Sequence, residues 1–152
     1  MPRIIVQHED FDAGAELARL NTPGVGGVGS FIGLVRGEEV RGEGKITALH
    51  LEHYPAMTAR ALAKIADEAM ARWPLNDCTI IHRVGTLHPG ENIVFVAASS
   101  AHRDAALRAT AFLIDWLKTS APFWKREDFI SGTSAWVAAR EADEAAAAEW
   151  VK

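Results

Sequence analysis

Residues 78–100 have the sequence CTIIHRVGTLHPGENIVFVAASS. Both ends of this stretch are rich in apolar and β-branched residues, which favour β-strands. Between them, HPGE (88–91) contains the dipeptide Pro89-Gly90, which is typical of a turn. The stretch therefore predicts two strands, 78–87 and 92–100, that pair antiparallel through a hairpin turn.

Two segments with helical periodicity flank these strands. The first follows Pro55 and ends at Trp73-Pro74, and its apolar stripe consists of Met57, Ala61, Leu62, Ile65, Ala69 and Met70. The second is 102–119, with Ser99 or Ser100 as its cap, and its stripe consists of Ala106, Ala109, Leu113, Trp116 and Leu117. Each segment predicts a long helix that buries one face.

The remaining segments complete an α+β pattern. Short strands are predicted at 3–7, 30–36 and 46–54 and in FWKREDFI and SAWVAAR, and short helices in Asp12–Leu20, with Asp12 as N-cap, and in EADEAAAAEW. The charged, glycine-rich segment 37–44 is predicted to be a mobile loop. We expect a mainly antiparallel sheet with two long helices packed on it and short terminal helices.

Composition limits the classes of protein to which the chain can belong. Its 152 residues, 49% hydrophobic and 24% charged, fit a single globular domain over 1–152. No apolar run reaches the ~18–20 residues of a membrane span, and the first residues lack the pattern of a secretory signal, so we predict a cytoplasmic protein. The net charge of −4 gives no reason to expect binding to nucleic acid or to an anionic membrane.

Two apparent motifs have simpler explanations. Gly24, Gly26 and Gly29 match the dinucleotide-binding pattern G-x-G-x-x-G, but no strand precedes them and no helix follows, so we predict a loop or strand that allows close approach of another backbone. His50 and His53 lie three apart on a predicted strand and point to opposite faces. We therefore predict no metal site, and we interpret Cys78, the single cysteine, as a buried and inert thiol.

The cationic residues are the candidates for function. His102 and Arg103 begin the second long helix, where free backbone N–H groups favour a bound anion. Lys118 ends that helix, and Lys125 lies beside aromatic residues in APFWKRE. A lysine in such a cleft can act as an acid, a base or a nucleophile. Arginines suited to a phosphate or carboxylate are Arg36, Arg103, Arg126 and Arg140.

Five segments together carry a resemblance to a known family. They are FIGLVR (31–36), LEHYPAMT (51–58), IIHRVGTLHPGE (80–91), SSAHRDAA (99–106) and DWLKTSAPFWKRE (115–127). In this order they resemble the large, catalytic subunits of molybdopterin synthase, nearly from end to end. The AHR and LKTSAPFWKRE segments are the most specific.

The resemblance implies an enzyme that converts precursor Z, a cyclic pyranopterin monophosphate, into molybdopterin without a metal or other cofactor. It implies two sulfurs delivered as the thiocarboxylate at the C-terminal Gly-Gly of a small ubiquitin-like subunit. It also implies a homodimer of large subunits with one small subunit at each end. The pocket then borrows residues across the dimer interface, and the His102-Arg103 pair is expected to reach the site of the neighbouring subunit. The implied catalytic residues are Lys118 and Lys125, and the implied substrate-binding residues are Phe31, Arg36, His102, Arg103, Pro122, Phe123 and Arg140.

Two other functions compete with this hypothesis. The chain could be a non-catalytic module that binds the tail of a ubiquitin-like partner, but such a groove needs apolar walls and backbone pairing rather than two lysines. It could also be an RNA-binding α+β domain, but the negative net charge argues against that.

Overall fold

In the computed structural model, which describes residues 1–38, 44–137 and 141–151, helices and strands follow one another along the whole chain. The helices are α1 (Ala13–Leu20), α2 (Pro55–Arg72), α3 (Arg103–Thr119) and α4 (Glu141–Ala148), with a 3-10 turn at Glu149–Val151. The strands are β1 (Arg3–Gln7), β2 (Gly27–Leu34), β3 (Ile46–His53), β4 (Leu75–Arg83), β5 (Gly85–Leu87), β6 (Asn92–Ser100), β7 (Phe123–Phe129) and β8 (Ser134–Trp136).

These strands form two sheets. The first has the order β1-β4-β6-β2 and the second β5-β3-β7-β8. All neighbours are antiparallel except β1 and β4. The long helices α2 and α3 pack on one face of the first sheet, and α1 packs on the other. This confirms the predicted α+β class, with a second sheet in place of a single one.

The predicted strand 78–87 is in fact two strands. Val84 separates β4 from β5, and Gly85 has a φ of +93°, a conformation that redirects the chain out of the first sheet. β4 pairs with β6 as predicted, whereas β5 pairs with β3 in the second sheet. The HPGE turn therefore connects strands of different sheets, and the prediction of one simple hairpin was wrong.

The main core lies between the first sheet and the two long helices. Cys78 and Ile80 of β4 and Leu113 of α3 have no exposed surface there. Burial raises the pKa of the Cys78 thiol to about 12, with smaller contributions from Asp77 and other charged groups. The prediction that Cys78 is buried and unreactive is confirmed.

The helix caps were predicted with mixed success. The backbone N–H of Ala15 donates to Asp12 Oδ1 at 3.0 Å, which confirms Asp12 as the N-cap of α1. The cap predicted for α3 was wrong, because His102 occupies that position and Ser99 and Ser100 belong to β6. Ser100 Oγ nevertheless accepts a hydrogen bond from the His102 N–H at 3.2 Å, so this serine stabilises the approach to the helix.

One predicted core residue of α2 lies outside the core. Met57 is 54% exposed, whereas Thr58 is fully buried in its place. The Thr58 hydroxyl can be buried because it donates to the carbonyl of Tyr54 at 3.0 Å, which satisfies its polar group.

The glycines of β2 allow the backbone of α3 to pack closely against this strand. A Cβ atom at Gly29 would lie 2.7 Å from the carbonyl oxygen of Ala106 and 2.9 Å from Thr110 Oγ1. Just before these two elements, the carbonyl of Ala101 likewise leaves no room for a Cβ atom at Gly26. Only glycine lets the helix backbone approach the strand this closely. The prediction of a glycine-bearing strand that permits backbone contact is confirmed.

The substitution Gly29→Ala tests this contact. We expect it to lower the free energy of unfolding by about 1–3 kcal/mol, because α3 must move away from β2 to accept the methyl group. The measurement is urea denaturation followed by circular dichroism. Gly14→Ala in α1 is the matched control, since its Cβ would have an ordinary contact of 3.4 Å with Asp12 Oδ1. A Gly29 variant as stable as the wild type would contradict the close approach.

Candidate active site

A cavity of about 510 Å³ lies at the C-terminal end of α3, where the two sheets meet. Apolar side chains form part of its lining, with the rings of Phe31 and Phe123 among them, and polar groups form about as much of its surface. Among the residues that the structure describes, the charged ones that line the cavity are Arg36, Lys118, Lys125 and Asp143. Three cations and one carboxylate make the cavity locally positive in a chain whose net charge is −4. Such a cavity suits an anionic ligand with a flat or apolar part.

The fold brings together five of the residues predicted from the sequence. They are Phe31, Arg36, Lys118, Phe123 and Lys125, and all of them line the cavity. Lys118 lies in the last turn of α3, whereas Phe123 and Lys125 come from β7, so tertiary packing creates the site.

The strand β7 explains how two of these side chains reach the cavity together. Phe123 and Lys125 are two residues apart, so they project from the same face of the strand. Their Cα partners on the neighbouring strand β3 are His53 and Leu51. Leu51 also lines the cavity, so an apolar residue is the strand partner of Lys125 there.

The other predicted residues lie elsewhere. His102 and Arg103 are at the opposite end of α3 from Lys118, about 22 Å away along the helix axis, and both are exposed. Pro122 is half-buried next to Phe123 but does not line the cavity. Arg140 and the part 39–43 of the predicted mobile loop lie outside the described residues.

One lining residue, His82, was missed as a candidate. It continues the buried row of Cys78 and Ile80 on β4, at the end of the strand that faces the cavity. Among the histidines, only His102 was predicted to have a functional role, and His82 was considered as a metal ligand and rejected. A histidine ending an apolar strand in IIHRVG was the available signal. No group of three histidine, cysteine or carboxylate side chains that could hold a metal ion occurs within the described ranges.

The imidazole of His82 is uncharged at neutral pH. Its pKa is lowered to about 4, mainly by burial. The hydrogen bond to the backbone carbonyl of Arg83 opposes this shift, and the nearby Lys118, His53 and Lys125 contribute to it to a smaller extent. The His82 Nδ1–H donates to that carbonyl at 2.8 Å. The neutral ring therefore has its lone pair on Nε2.

The pKa of His82 predicts a pH dependence of stability. Between pH 6.5 and pH 4 the unfolded chain binds a proton on this residue and the folded chain does not, so the free energy of unfolding falls as the pH falls. The contribution of His82 is about 3 kcal/mol over this window. Urea denaturation at a series of pH values should show a shallower dependence for His82→Phe than for the wild type. His88→Phe, at an exposed position, is the control; parallel curves for wild type and His82→Phe would contradict the burial of a neutral ring.

No described helix is both long enough and apolar enough to cross a membrane.

Comparison with known proteins identifies one family. The family model described as MoaE protein matches residues 6–120. A molybdopterin synthase catalytic subunit of Pseudomonas aeruginosa is 51% identical, with 97% of each chain covered.

Solved structures agree with this result. A molybdopterin biosynthesis MoaE protein of Burkholderia ambifaria is 45% identical and superposes with a TM-score of 0.83 over 100% of this chain and 99% of its own. A Helicobacter pylori complex of subunits 1 and 2 of molybdopterin-converting factor contains a chain with the same fold, with a TM-score of 0.69, 21% identity and coverage of 92% and 90%. The chain belongs to the MoaE family, whose curated relatives are molybdopterin synthase catalytic subunits.

Proposed function

We propose that the chain is a sulfurtransferase, the catalytic subunit of a cytoplasmic molybdopterin synthase that converts precursor Z into molybdopterin. The observation that carries this proposal is the presence of Lys118, Lys125 and Arg36 in one cavity whose lining also includes aromatic and aliphatic side chains. A cyclic pyranopterin monophosphate has a phosphate for the cations and a ring system for the apolar walls. Membership of the MoaE family supports the same assignment.

The sulfur donor is a thiocarboxylate at the C-terminal Gly-Gly of a small ubiquitin-like subunit. Two observations support a donor on another chain. The sequence has one cysteine, and Cys78 is fully buried with a raised pKa, so this chain has no thiol suited to carry sulfur. The distantly related Helicobacter pylori chain with this fold was solved as a complex of two subunits. A narrow, extended tail ending in an anion also matches a cavity with apolar walls and cations.

The two lysines have different roles in this mechanism. Lys118, exposed at the last turn of α3, is the principal acid-base or transient covalent group at the thiocarboxylate. Lys125, half-buried on β7, orients the substrate and stabilises the negative charge that develops. Arg36 binds the phosphate of the substrate, for which a planar guanidinium is suited.

The residues far from the cavity point to a homodimer. His102 and Arg103 lie too far along α3 to reach the cavity of their own chain. We propose that they contribute to the cavity of the neighbouring subunit in a homodimer, with one small subunit bound at each end. Arg140, Pro122 and the AHR segment then complete the substrate pocket.

The substitution Lys118→Ala tests the proposed reaction. The chain is mixed with precursor Z and thiocarboxylated small subunit, and the product is oxidised to its fluorescent derivative. We expect turnover to fall by about 10²–10⁴-fold for Lys118→Ala, since an acid-base group is removed. We expect a smaller loss for Lys125→Ala. Lys64→Ala, on the exposed face of α2, is the control and should retain full activity.

Two results would contradict parts of this proposal. Near-normal turnover of Lys118→Ala would remove the assigned role of Lys118. A wild-type chain that binds the small subunit tightly but forms no product would instead favour the non-catalytic module that binds a partner tail.

A complementation experiment tests the contribution of Arg103 across the dimer. Arg103→Ala and Lys118→Ala chains, each inactive alone, are mixed, unfolded and refolded together. Random pairing of equal amounts makes half of the dimers mixed. If Arg103 serves the neighbouring cavity, each mixed dimer has one intact site of two, so activity should return to about a quarter of the wild-type value. If Arg103 serves its own chain, no mixed dimer has an intact site and no activity returns.

A further inference from the structure

The ring of Phe123 contacts two imidazoles at the edge of the cavity. His82 stacks on it nearly face to face, with ring centroids 3.9 Å apart and planes inclined by 15°. His53 contacts it at 5.9 Å and 34°. Because His82 belongs to β4 and His53 to β3, the three rings connect the first sheet with the second.

Both imidazoles have a fixed orientation. The His82 Nδ1–H donates to the carbonyl of Arg83 at 2.8 Å. The hydroxyl of Thr58 donates to the carbonyl of Tyr54, so it accepts from the His53 Nδ1–H at 3.0 Å. Burial lowers the pKa of both rings. Neither ring therefore adds positive charge to a region that already has two lysines.

We propose that His82 is a positioning residue for the two-lysine cavity: its ring holds the ring of Phe123 and thereby keeps Lys125 beside Lys118. This inference rests on the proposed function, because it assigns a purpose to the placement of the two lysines. His82 itself has no chemical step in it.

The start of β7 needs such a support. The strand begins directly after the short segment that follows α3. Its ladder with β8 begins at Arg126, and the Val137 N–H also donates to the carbonyl of Lys125 at 2.8 Å. Phe123 and Trp124 therefore have strand pairing on the β3 side alone. Stacking with His82 adds a contact from the first sheet to this end of β7. Because Phe123 and Lys125 share one face, the orientation of the ring and that of the lysine are coupled.

The packing around His82 leaves its ring little freedom to move away from Phe123. The residue is only 7% exposed, and its Cα partners on the flanking strands are Val6 and Val94. A smaller side chain would leave a space against Phe123 that the surrounding sheet cannot close. Displacement of catalytic groups by about 1 Å is sufficient to reduce turnover substantially.

The test compares His82→Ala with His82→Phe in the sulfur-transfer assay, at pH 7.5 and at a temperature where circular dichroism shows each variant to be folded. His82→Ala removes the stacked ring, and we expect kcat to fall at least about tenfold with little change in the KM for the small subunit. His82→Phe restores a ring without nitrogen atoms, and we expect it to recover kcat to within about threefold of the wild type.

A buried control separates positioning from loss of stability. Ile80→Ala removes a fully buried side chain from the same row of β4, two residues away from His82. We expect it to destabilise the fold and to leave kcat unchanged. An equal loss of kcat in Ile80→Ala and His82→Ala would overturn the proposal, as would a kcat of His82→Ala equal to that of the wild type. Loss of activity in His82→Phe equal to that in His82→Ala would also overturn it, since an imidazole nitrogen would then be required.

A second measurement does not depend on the reaction. The chain alone is treated with a small amine-acylating reagent, and the labelling rates of Lys118 and Lys125 are compared with that of Lys64 by mass spectrometry. We expect the labelling rate of Lys125 relative to that of Lys64 to change in His82→Ala and to return to the wild-type value in His82→Phe. An unchanged ratio in His82→Ala overturns the positioning role even if the proposed function is correct. An inactive wild type with a changed ratio overturns the function and leaves the positioning of Lys125 supported.

Discussion

The contact between the backbones of α3 and β2 determines where the rest of the site lies. Gly27 of β2 is next to Arg103, and Gly29 is next to Ala106 and Thr110, so the strand and the helix run alongside each other in the same direction. Further along, Gly33 reaches the cavity that also contains Lys118. The absence of side chains at the glycines fixes the distance between helix and strand. It thereby fixes the position of the helix end that carries Lys118, the lysine proposed to be catalytic.

The second sheet supplies the opposite wall of the cavity. The chain leaves the first sheet at Gly85, and β5 pairs with β3, which in turn pairs with β7. Each sheet therefore contributes one side of the cavity, and α3 contributes its C-terminal end. Three cations are tolerated there because Lys118 and Arg36 remain exposed to solvent, and because His82, the buried titratable group, stays neutral. The cations proposed to bind an anion can therefore lie close together without destabilising the fold.

The sequence was sufficient for the features that depend on local pattern. Periodicity located both long helices, and the composition of β4 and β6 located the central strands. The division at Gly85 was missed because a glycine within an apolar run does not distinguish a turn from a continuous strand. His82 was missed because its role depends on Phe123, 41 positions later in the chain, and on a stacking contact between two sheets. Periodicity also placed His102 and Arg103 at the start of the helix that ends near Lys118, and the length of that helix separates them by about 22 Å. Which side chains from other elements surround Lys118 depends on tertiary packing, which periodicity does not show.

The chemistry of the single cysteine connects the fold to the need for a partner. Cys78 lies in the centre of β4, without exposed surface and with a thiol pKa of about 12, so a thiolate is not available at neutral pH. The same strand β4, in which Cys78 is buried, also contains His82 four residues later, at the edge of the cavity. A reaction that adds sulfur to a substrate in this cavity must therefore obtain the sulfur from outside the chain, in an already activated form. The open, cationic cavity with apolar walls is the part of the described structure that is suited to receive an anionic group of this kind.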